Sequence, residues 1–195
     1  FTFRDLTEDM PDICAHWQKE GITFDAVYTG YLGSGKQIDY VKQIIKATAK
    51  DTAVTVIDPA MADHGKLYYG FDDAFVEAMK TLCAEADYLL PNITEACLMT
   101  GKPYHEQYDE AYVDELLRAL GEQGNSRVVL TGVGYSADTL GALVWDGERK
   151  VYHQHRRIPR MFHGTGDVYA SAFTGAYLRG HSLHSAAAIA VDFTS

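Results

Sequence analysis

The sequence has no long apolar run and few cysteines, and each absence excludes a class of protein. No stretch of about 18 consecutive apolar residues occurs, so the sequence predicts no membrane-spanning helix. The three cysteines, Cys14, Cys83 and Cys97, are far apart and form no CxxC pair. This spacing is typical of reduced thiols rather than of a disulfide framework, and it favours a cytoplasmic protein.

Basic residues are also in the minority, since 17 Lys and Arg stand against 27 Asp and Glu, for a formal net charge of −10. Nonspecific binding to nucleic acid needs a basic face, so we expect no nucleic-acid partner. A small anionic ligand stays compatible with this charge, because a helix N-terminus can bind phosphate without any lysine.

The histidines do not predict a zinc site. His153 and His155 alternate along a predicted strand, and His181 and His184 have helical spacing. Neither pair has a third ligand nearby in the sequence, and a structural zinc site needs four. We therefore expect core or surface histidines.

Strands alternate with helices along most of the chain, which predicts one α/β domain over residues 1–195 with a mostly parallel central sheet and helices on both faces. Residues 61–70 read as a polar loop. Asp146-Gly147 stands between two alternating runs and predicts a β-hairpin. The predicted strands are 24–30, 52–59, 86–92 and 126–132, and the predicted helices are 7–20, 34–50, 72–83, 94–100, 109–122, 167–179 and 182–192.

Three glycine motifs compete as phosphate sites, and the first is GYLGSGKQ (30–37). It lies between a predicted strand and a predicted helix and fits the P-loop pattern G-x-x-x-x-G-K-[ST] at every position but the last. Gln37 replaces the hydroxyl that would ligate Mg²⁺. The alternative interpretation is a glycine turn before a helix, with Lys36 in solvent.

The second motif, GVGYSA (132–137), imitates the dinucleotide-binding pattern G-x-G-x-x-A. It follows a predicted strand, but hairpin residues follow it instead of a helix. A dinucleotide site needs a helix N-terminus to hold the pyrophosphate, so this motif is the weakest of the three.

The third motif is HGTGD (163–167), which comes directly before a predicted helix. Gly164 and Gly166 free the backbone to turn its N–H groups toward one anion, and the helix dipole adds positive potential there. Asp167 could accept a proton from a hydroxyl that attacks a bound phosphate. It could equally be a plain first-turn acid of the helix.

Two acidic motifs, DPAMADHGKLY (58–68) and PNITEA (91–96), fall at the carboxyl ends of predicted parallel strands, the edge where open α/β sheets bind ligands. With TGYLGS (29–34), TG (131–132) and GTGD (164–167), they stand in the order seen in the ribokinase-like superfamily. From about residue 28 to the end, the chain resembles the pyridoxal kinases, which phosphorylate forms of vitamin B6. The resemblance implies a ribokinase-like three-layer fold, with the hairpin near the nucleotide site.

The resemblance also implies roles for particular residues. Asp167 would be the base that activates the 5′-hydroxymethyl group of the vitamer, and the amides of Gly164, Thr165 and Gly166 would form an anion hole. Tyr31 would face the pyridine ring. Glu95 and Asp63 would organise the metal ion. The positions implied for ATP are Asp58, Asp63, Tyr68, Asn92, Glu95, Thr131, Gly132 and the segment from His155 to Ile158.

The implied cofactors are ATP, Mg²⁺ and a monovalent cation such as K⁺, and the implied assembly is a homodimer that takes a B6 vitamer as its substrate. Family members carry N-terminal strands, a lid and a C-terminal segment that we expect to be absent from these residues. GTGD also occurs in hydroxymethylpyrimidine and sugar kinases, so those substrates remain alternatives. A P-loop hydrolase and a vitamer-binding piece without turnover remain open too. His163 has no assigned role.

Overall fold

The computed structural model describes residue 2, residues 4–158, residue 160 and residues 164–195. Six strands form one sheet in the order β1-β2-β5-β6-β7-β8. The first four are parallel, and β7 and β8 are antiparallel to their neighbours. The strands of this sheet are β1 (Phe24–Thr29), β2 (Ala49–Ile57), β5 (Tyr88–Leu89), β6 (Val128–Val133), β7 (Thr139–Trp145) and β8 (Lys150–Arg156).

Helices cover both faces of the sheet, as the sequence predicts. Val56 and Ile57 are both fully buried, yet they belong to different core clusters because successive side chains of a strand point to opposite faces. One cluster lies against α2 (Gly35–Thr48), α3 (Asp73–Cys83), α4 (Ile93–Thr100) and α5 (Glu110–Glu122), and the other against α6 (Thr165–Leu178) and α7 (Leu183–Thr194). The three-layer α/β fold is confirmed.

The predicted element positions agree with the structure except in three places. The expected loop 61–70 contains a two-stranded antiparallel hairpin of β3 (Ala62–Asp63) and β4 (Lys66–Leu67). The predicted strand 86–92 has only two residues in β5, followed by an isolated bridge between Asn92 and Thr131. The first predicted helix begins as a 3₁₀ turn (Thr7–Asp9) and continues as α1 (Met10–Lys19).

The hairpin predicted from Asp146-Gly147 joins β7 to β8. Asp146 accepts the backbone N–H groups of Glu148 and Arg149 at 3.1 and 2.7 Å, which fixes the turn. Among the described residues, no helix is long and apolar enough to span a membrane.

Candidate active site

The functional edge of the sheet is the one where its parallel strands end. The backbone N–H of Asp58, just past β2, donates to the carbonyl of Thr29 at the end of β1. Asn92, just past β5, pairs with Thr131 in β6. The acidic motifs therefore meet at one edge, as expected from parallel strands.

The N-terminus of α6 is the part of this edge that is suited to bind an anion. Among the described residues, α2, α3, α4, α5 and α7 are capped by a side chain that accepts a first-turn N–H, whereas α1 and α6 have no side-chain cap. Gly164 has a φ of 81°, a left-handed conformation that favours glycine. The first N–H groups of a helix have no partner within the helix, so those of α6 are free to bind a phosphate oxygen.

Asp167 lies in the first turn of α6 and is exposed. The hydroxyl of Tyr28 donates to its Oδ1 at 3.2 Å. Both groups pass close over Gly30, where a Cβ would lie 3.1 Å from the Tyr28 hydroxyl and 3.2 Å from Asp167 Oδ1. Gly30 thus permits the close approach of β1 to the start of α6.

Glu95 is buried, with 1% of its surface exposed. Its Oε1 accepts the backbone N–H groups of Met61 and Ala62 at 2.9 and 3.4 Å, and its Oε2 accepts that of Asn92 at 2.9 Å. Asn92 in turn accepts the N–H of Glu95, which completes a capping box at the start of α4. Glu95 therefore connects α4 to the segment that carries the β3–β4 hairpin.

The charges of this edge act on one another. Burial raises the pKa of Glu95 to about 8, with a further contribution from the charge of Asp58 and opposition from its backbone donors. Burial and the charge of Asp167 raise the pKa of Asp58 to about 7. Burial raises the pKa of Tyr68 to about 12, with further contributions from the charges of Glu95, Asp63, Asp58 and Asp167. Tyr68 therefore lies close to the acidic residues that the sequence analysis placed at this edge.

The donor chemistry of the edge fits Mg²⁺. Carboxylate oxygens are its preferred protein ligands, and Mg²⁺ commonly binds through one or two carboxylates, several waters and substrate phosphates. Asp58 is half-buried beside Asp167, and Asp63 is exposed on the β3–β4 hairpin. No cluster of three His, Cys, Asp or Glu side chains that could hold a metal ion occurs among the described residues. The arrangement therefore suits an ion shared with phosphates and water rather than an all-protein cage.

The other predicted site residues lie around this edge. Asn92 donates its side-chain amide to the carbonyl of Ala62 at 2.7 Å, so it holds the hairpin from α4. Thr131 donates its N–H to the carbonyl of Pro91 at 2.8 Å, and Gly132 has a φ of 68°. These contacts keep the ends of β5 and β6 together.

Two predicted positions lie outside these contacts. Tyr31 is 56% exposed and leans on Phe71, with 5.5 Å between the ring centroids, so its ring is available to a flat ligand. Ile158 is 49% exposed, just beyond β8. His163 lies outside the described residues.

The P-loop interpretation does not match the contacts of Lys36. Its ammonium lies 2.6 Å from the carboxylate of Glu8, and 51% of its side chain is exposed, so Lys36 lies at the helix surface, as the alternative interpretation expects. Gln37 accepts the N–H of Gly33 at 2.7 Å and donates to Thr7 at 2.8 Å. Both side chains join the start of α2 to the turn before α1. The second glycine motif leads into β7 rather than a helix, as predicted.

A groove of about 630 Å³ opens beside Asp167, between α6 and α7. Its walls are largely apolar, with Val168, Ile189 and Phe193 exposed at 45%, 36% and 72%. The edge that carries Asp167 therefore continues into a surface that can take an apolar part of a ligand.

Sequence reasoning missed Tyr28, which it placed only within a buried strand. The available signal was the period of two in β1, which puts Tyr28 and Gly30 on the same face. Tyr28 packs in the cluster that contains α6, the helix opened by GTGD.

Fold and acidic edge together define an α/β protein of the ribokinase-like type. The chain belongs to the phosphomethylpyrimidine kinase family, whose model matches residues 5–195. A pyridoxal kinase structure from Lactobacillus plantarum is 35% identical, with a TM-score of 0.87 over 98% of this chain and 68% of that one. A Bacteroides thetaiotaomicron protein that carries a phosphomethylpyrimidine kinase name and was crystallised with pyridoxal is also 35% identical, with a TM-score of 0.91 over 98% of this chain and 68% of that one.

Curated relatives carry two kinds of name. The hydroxymethylpyrimidine/phosphomethylpyrimidine kinase of Bacillus subtilis is 27% identical over 89% of this chain and 63% of its own length. The pyridoxal kinase of Arabidopsis thaliana is 29% identical over 76% of this chain and 49% of its own length. The chain thus spans about half to two thirds of the length of these relatives.

Proposed function

We propose that the intact protein transfers the γ-phosphoryl group of ATP to the 5′-hydroxymethyl group of a B6 vitamer. The observation that carries the proposal is the placement of Asp167, an exposed carboxylate in the first turn of α6, which begins at a left-handed glycine and has no side-chain cap. A carboxylate beside a phosphate site is repelled by the phosphate unless it takes up a proton during the reaction.

In this proposal Asp167 accepts the proton of the substrate hydroxyl as its oxygen attacks the γ-phosphorus. The bond to the β-phosphate oxygen breaks, and ADP leaves. The N–H groups at Gly164, Thr165 and Gly166 stabilise the charge of the transferring group. Tyr31 offers a face for the pyridine ring. Asp58 and Asp63 would hold Mg²⁺ with the help of water, and that ion supplies neutralisation of phosphate charge.

Hydroxymethylpyrimidine is the second candidate acceptor, because the Bacillus subtilis relative is named a hydroxymethylpyrimidine/phosphomethylpyrimidine kinase and the family model a phosphomethylpyrimidine kinase. It is also an aromatic ring with a primary alcohol, so the same base and anion hole would serve. The names of the Lactobacillus plantarum and Arabidopsis thaliana relatives, and the pyridoxal in the Bacteroides structure, favour the vitamer.

The test is a turnover assay of the intact protein with ATP and Mg²⁺ against pyridoxal, pyridoxamine, pyridoxine and hydroxymethylpyrimidine. Asp167→Asn should lower kcat by roughly 10²–10⁴-fold, as expected for loss of a general base. Asp51→Asn, an exposed aspartate near the start of β2, is the matched control and should be unchanged. Near-normal turnover in Asp167→Asn would refute the role of Asp167 as base, and a marked preference for hydroxymethylpyrimidine would favour the second candidate.

A further inference from the structure

We propose that Tyr28 is a positioning residue that holds the carboxylate of Asp167 in its reactive orientation. This inference rests on the proposed function, in which Asp167 is the base. Tyr28 lies one residue before the end of β1, on the face of the sheet that packs against α6. Its hydroxyl therefore joins β1 to the first turn of α6.

The two oxygens of Asp167 face different groups. Oδ1 accepts the Tyr28 hydroxyl at 3.2 Å. Oδ2 lies toward the glycine turn, since a Cβ on Gly164 would be 3.9 Å from it. One oxygen is thus held from the strand, and the other faces the turn where the phosphoryl group would bind.

An exposed aspartate at a helix start needs such a contact to keep one orientation. Among the described residues, Tyr28 supplies the hydrogen bond to the Asp167 side chain. An unrestrained side chain samples several rotamers, and ordering it costs conformational entropy at every turnover. A contact already present before substrate binds removes that cost from the reaction.

The phenol of Tyr28 keeps the proton that this role requires. Burial first, then the charges of Asp58 and Asp167, raise the pKa of Tyr28 above its ordinary value. Asp58 Oδ1 accepts the N–H of Ala60 at 3.0 Å, whereas the Tyr28 hydroxyl donates to Asp167. Tyr28 is therefore a steady donor to Asp167.

The test is a double-mutant cycle in the intact protein with the preferred acceptor, ATP and Mg²⁺. Tyr28→Phe removes only the hydroxyl, and it should lower kcat by roughly 10- to 100-fold, in line with the effect of a misplaced reacting group. KM for the acceptor should stay within about twofold, because the hydroxyl acts on the base and not on substrate binding. In the Asp167→Asn background, Tyr28→Phe should cause no further loss, since the group that it positions is already gone.

Tyr169→Phe is the matched control. It removes another buried tyrosine hydroxyl, one that donates to the carbonyl of Ala187 from the same helix as Asp167, and it should leave kcat near the wild-type value. An unchanged kcat in Tyr28→Phe would overturn the inference. A higher KM at constant kcat in Tyr28→Phe would also overturn it. So would an equal loss of kcat from Tyr28→Phe in the wild type and in the Asp167→Asn variant.

A measurement that needs no turnover separates this inference from the proposed function. In protein labelled with ¹³C at tyrosine Cζ, the Tyr28 signal, assigned by its absence in Tyr28→Phe, should shift in Asp167→Asn. An unmoved signal would show that the two groups do not interact. If the intact protein phosphorylated none of the four acceptors, the proposed function would fail, and this NMR comparison would still decide whether Tyr28 holds Asp167.

Discussion

The ammonium of Lys36 lies 2.6 Å from the carboxylate of Glu8 and joins the first turn of α2 to the 3₁₀ turn before α1. The pair is exposed, with 51% of the Lys36 side chain and 80% of the Glu8 side chain open to solvent. Lys36 also lies over the ring of Tyr40, 5.6 Å from its centroid. A lysine in these contacts serves the packing of two helices rather than a phosphate.

Lys36→Ala should therefore leave nucleotide use nearly unchanged. The expected loss of stability is small, since exposed ion pairs contribute little. The measurements are KM for ATP, kcat and the urea midpoint, and Glu8→Ala is the matched variant because it breaks the same pair from the other side. A lysine of a true P-loop contacts the β- and γ-phosphates, so abolished ATP use in Lys36→Ala alone would restore the P-loop interpretation.

Glu95→Gln should lower stability and raise the Mg²⁺ concentration needed for activity. The carboxylate of Glu95 accepts hydrogen bonds from backbone N–H groups, and the NH₂ group of a glutamine side chain would face one of these donors instead of accepting from it. A buried donor left without an acceptor costs about 1–3 kcal/mol. The displaced segment carries Asp63, so the ion would be held less well.

Urea denaturation and a Mg²⁺ titration of activity measure the two effects. Glu115→Gln on α5 is the control, because Glu115 is exposed and pairs with Lys102 at the surface, at 3.5 Å. A wild-type denaturation midpoint in Glu95→Gln would mean that the three backbone hydrogen bonds do not support the fold.

Asp58→Asn should stabilise the protein at high pH in the absence of Mg²⁺ and nucleotide. The pKa of Asp58 is about 7 in the fold, above the ordinary value of 3.8, so the folded state binds more protons than the unfolded state between these values. The free energy of unfolding therefore falls as pH rises through this interval. Asparagine can still accept the N–H of Ala60 but carries no charge to repel Asp167 and Glu95.

Thermal unfolding at pH 4.5 and pH 8 checks this. The Tm of Asp58→Asn, relative to that of the wild type, should be higher at pH 8 than at pH 4.5. The Tm of Asp51→Asn should match that of the wild type at both pH values. A difference that stayed constant with pH would contradict a raised pKa at Asp58.

Gly141→Ala and Gly175→Ala should have opposite effects. A Cβ at Gly141 would clash with the carbonyl oxygen of His153, so β7 and β8 would have to separate, and we expect a loss of about 1–3 kcal/mol. A Cβ at Gly175, inside α6, meets nothing within 4 Å, and alanine there should add about 0.5–1 kcal/mol. Urea midpoints of both variants measure this, and similar losses in the two would contradict the close strand approach.

The alternation of strands and helices was enough to predict the three layers, because a buried parallel strand and an amphipathic helix each leave a strong local pattern. The β7–β8 hairpin followed from Asp146-Gly147 in the same way. The β3–β4 hairpin could not be predicted from two-residue strands with no apolar period. Its residues are held by α4, through Asn92 and Glu95, and no local pattern reports such contacts.

The site likewise contains residues that local sequence patterns could predict and contacts that depend on how distant elements pack. Asp58, Asn92 and Glu95 could be grouped because each follows a strand of a parallel sheet. The contact between Tyr28 and Asp167 joins residues 139 positions apart and depends on how α6 lies across β1. The partner of Lys36 was missed for a similar reason, since Glu8 belongs to a separate helical segment.

The burial of Glu95 has a consequence for divergent copies of this chain. A gene duplicate that lost its activity would still need Glu95, because three backbone N–H groups depend on its carboxylate. Asp167 is exposed, so drift could replace it with little effect on folding. Under the proposed function, Glu95 would therefore persist in inactive copies, and the residue at position 167 would be the better marker of retained activity.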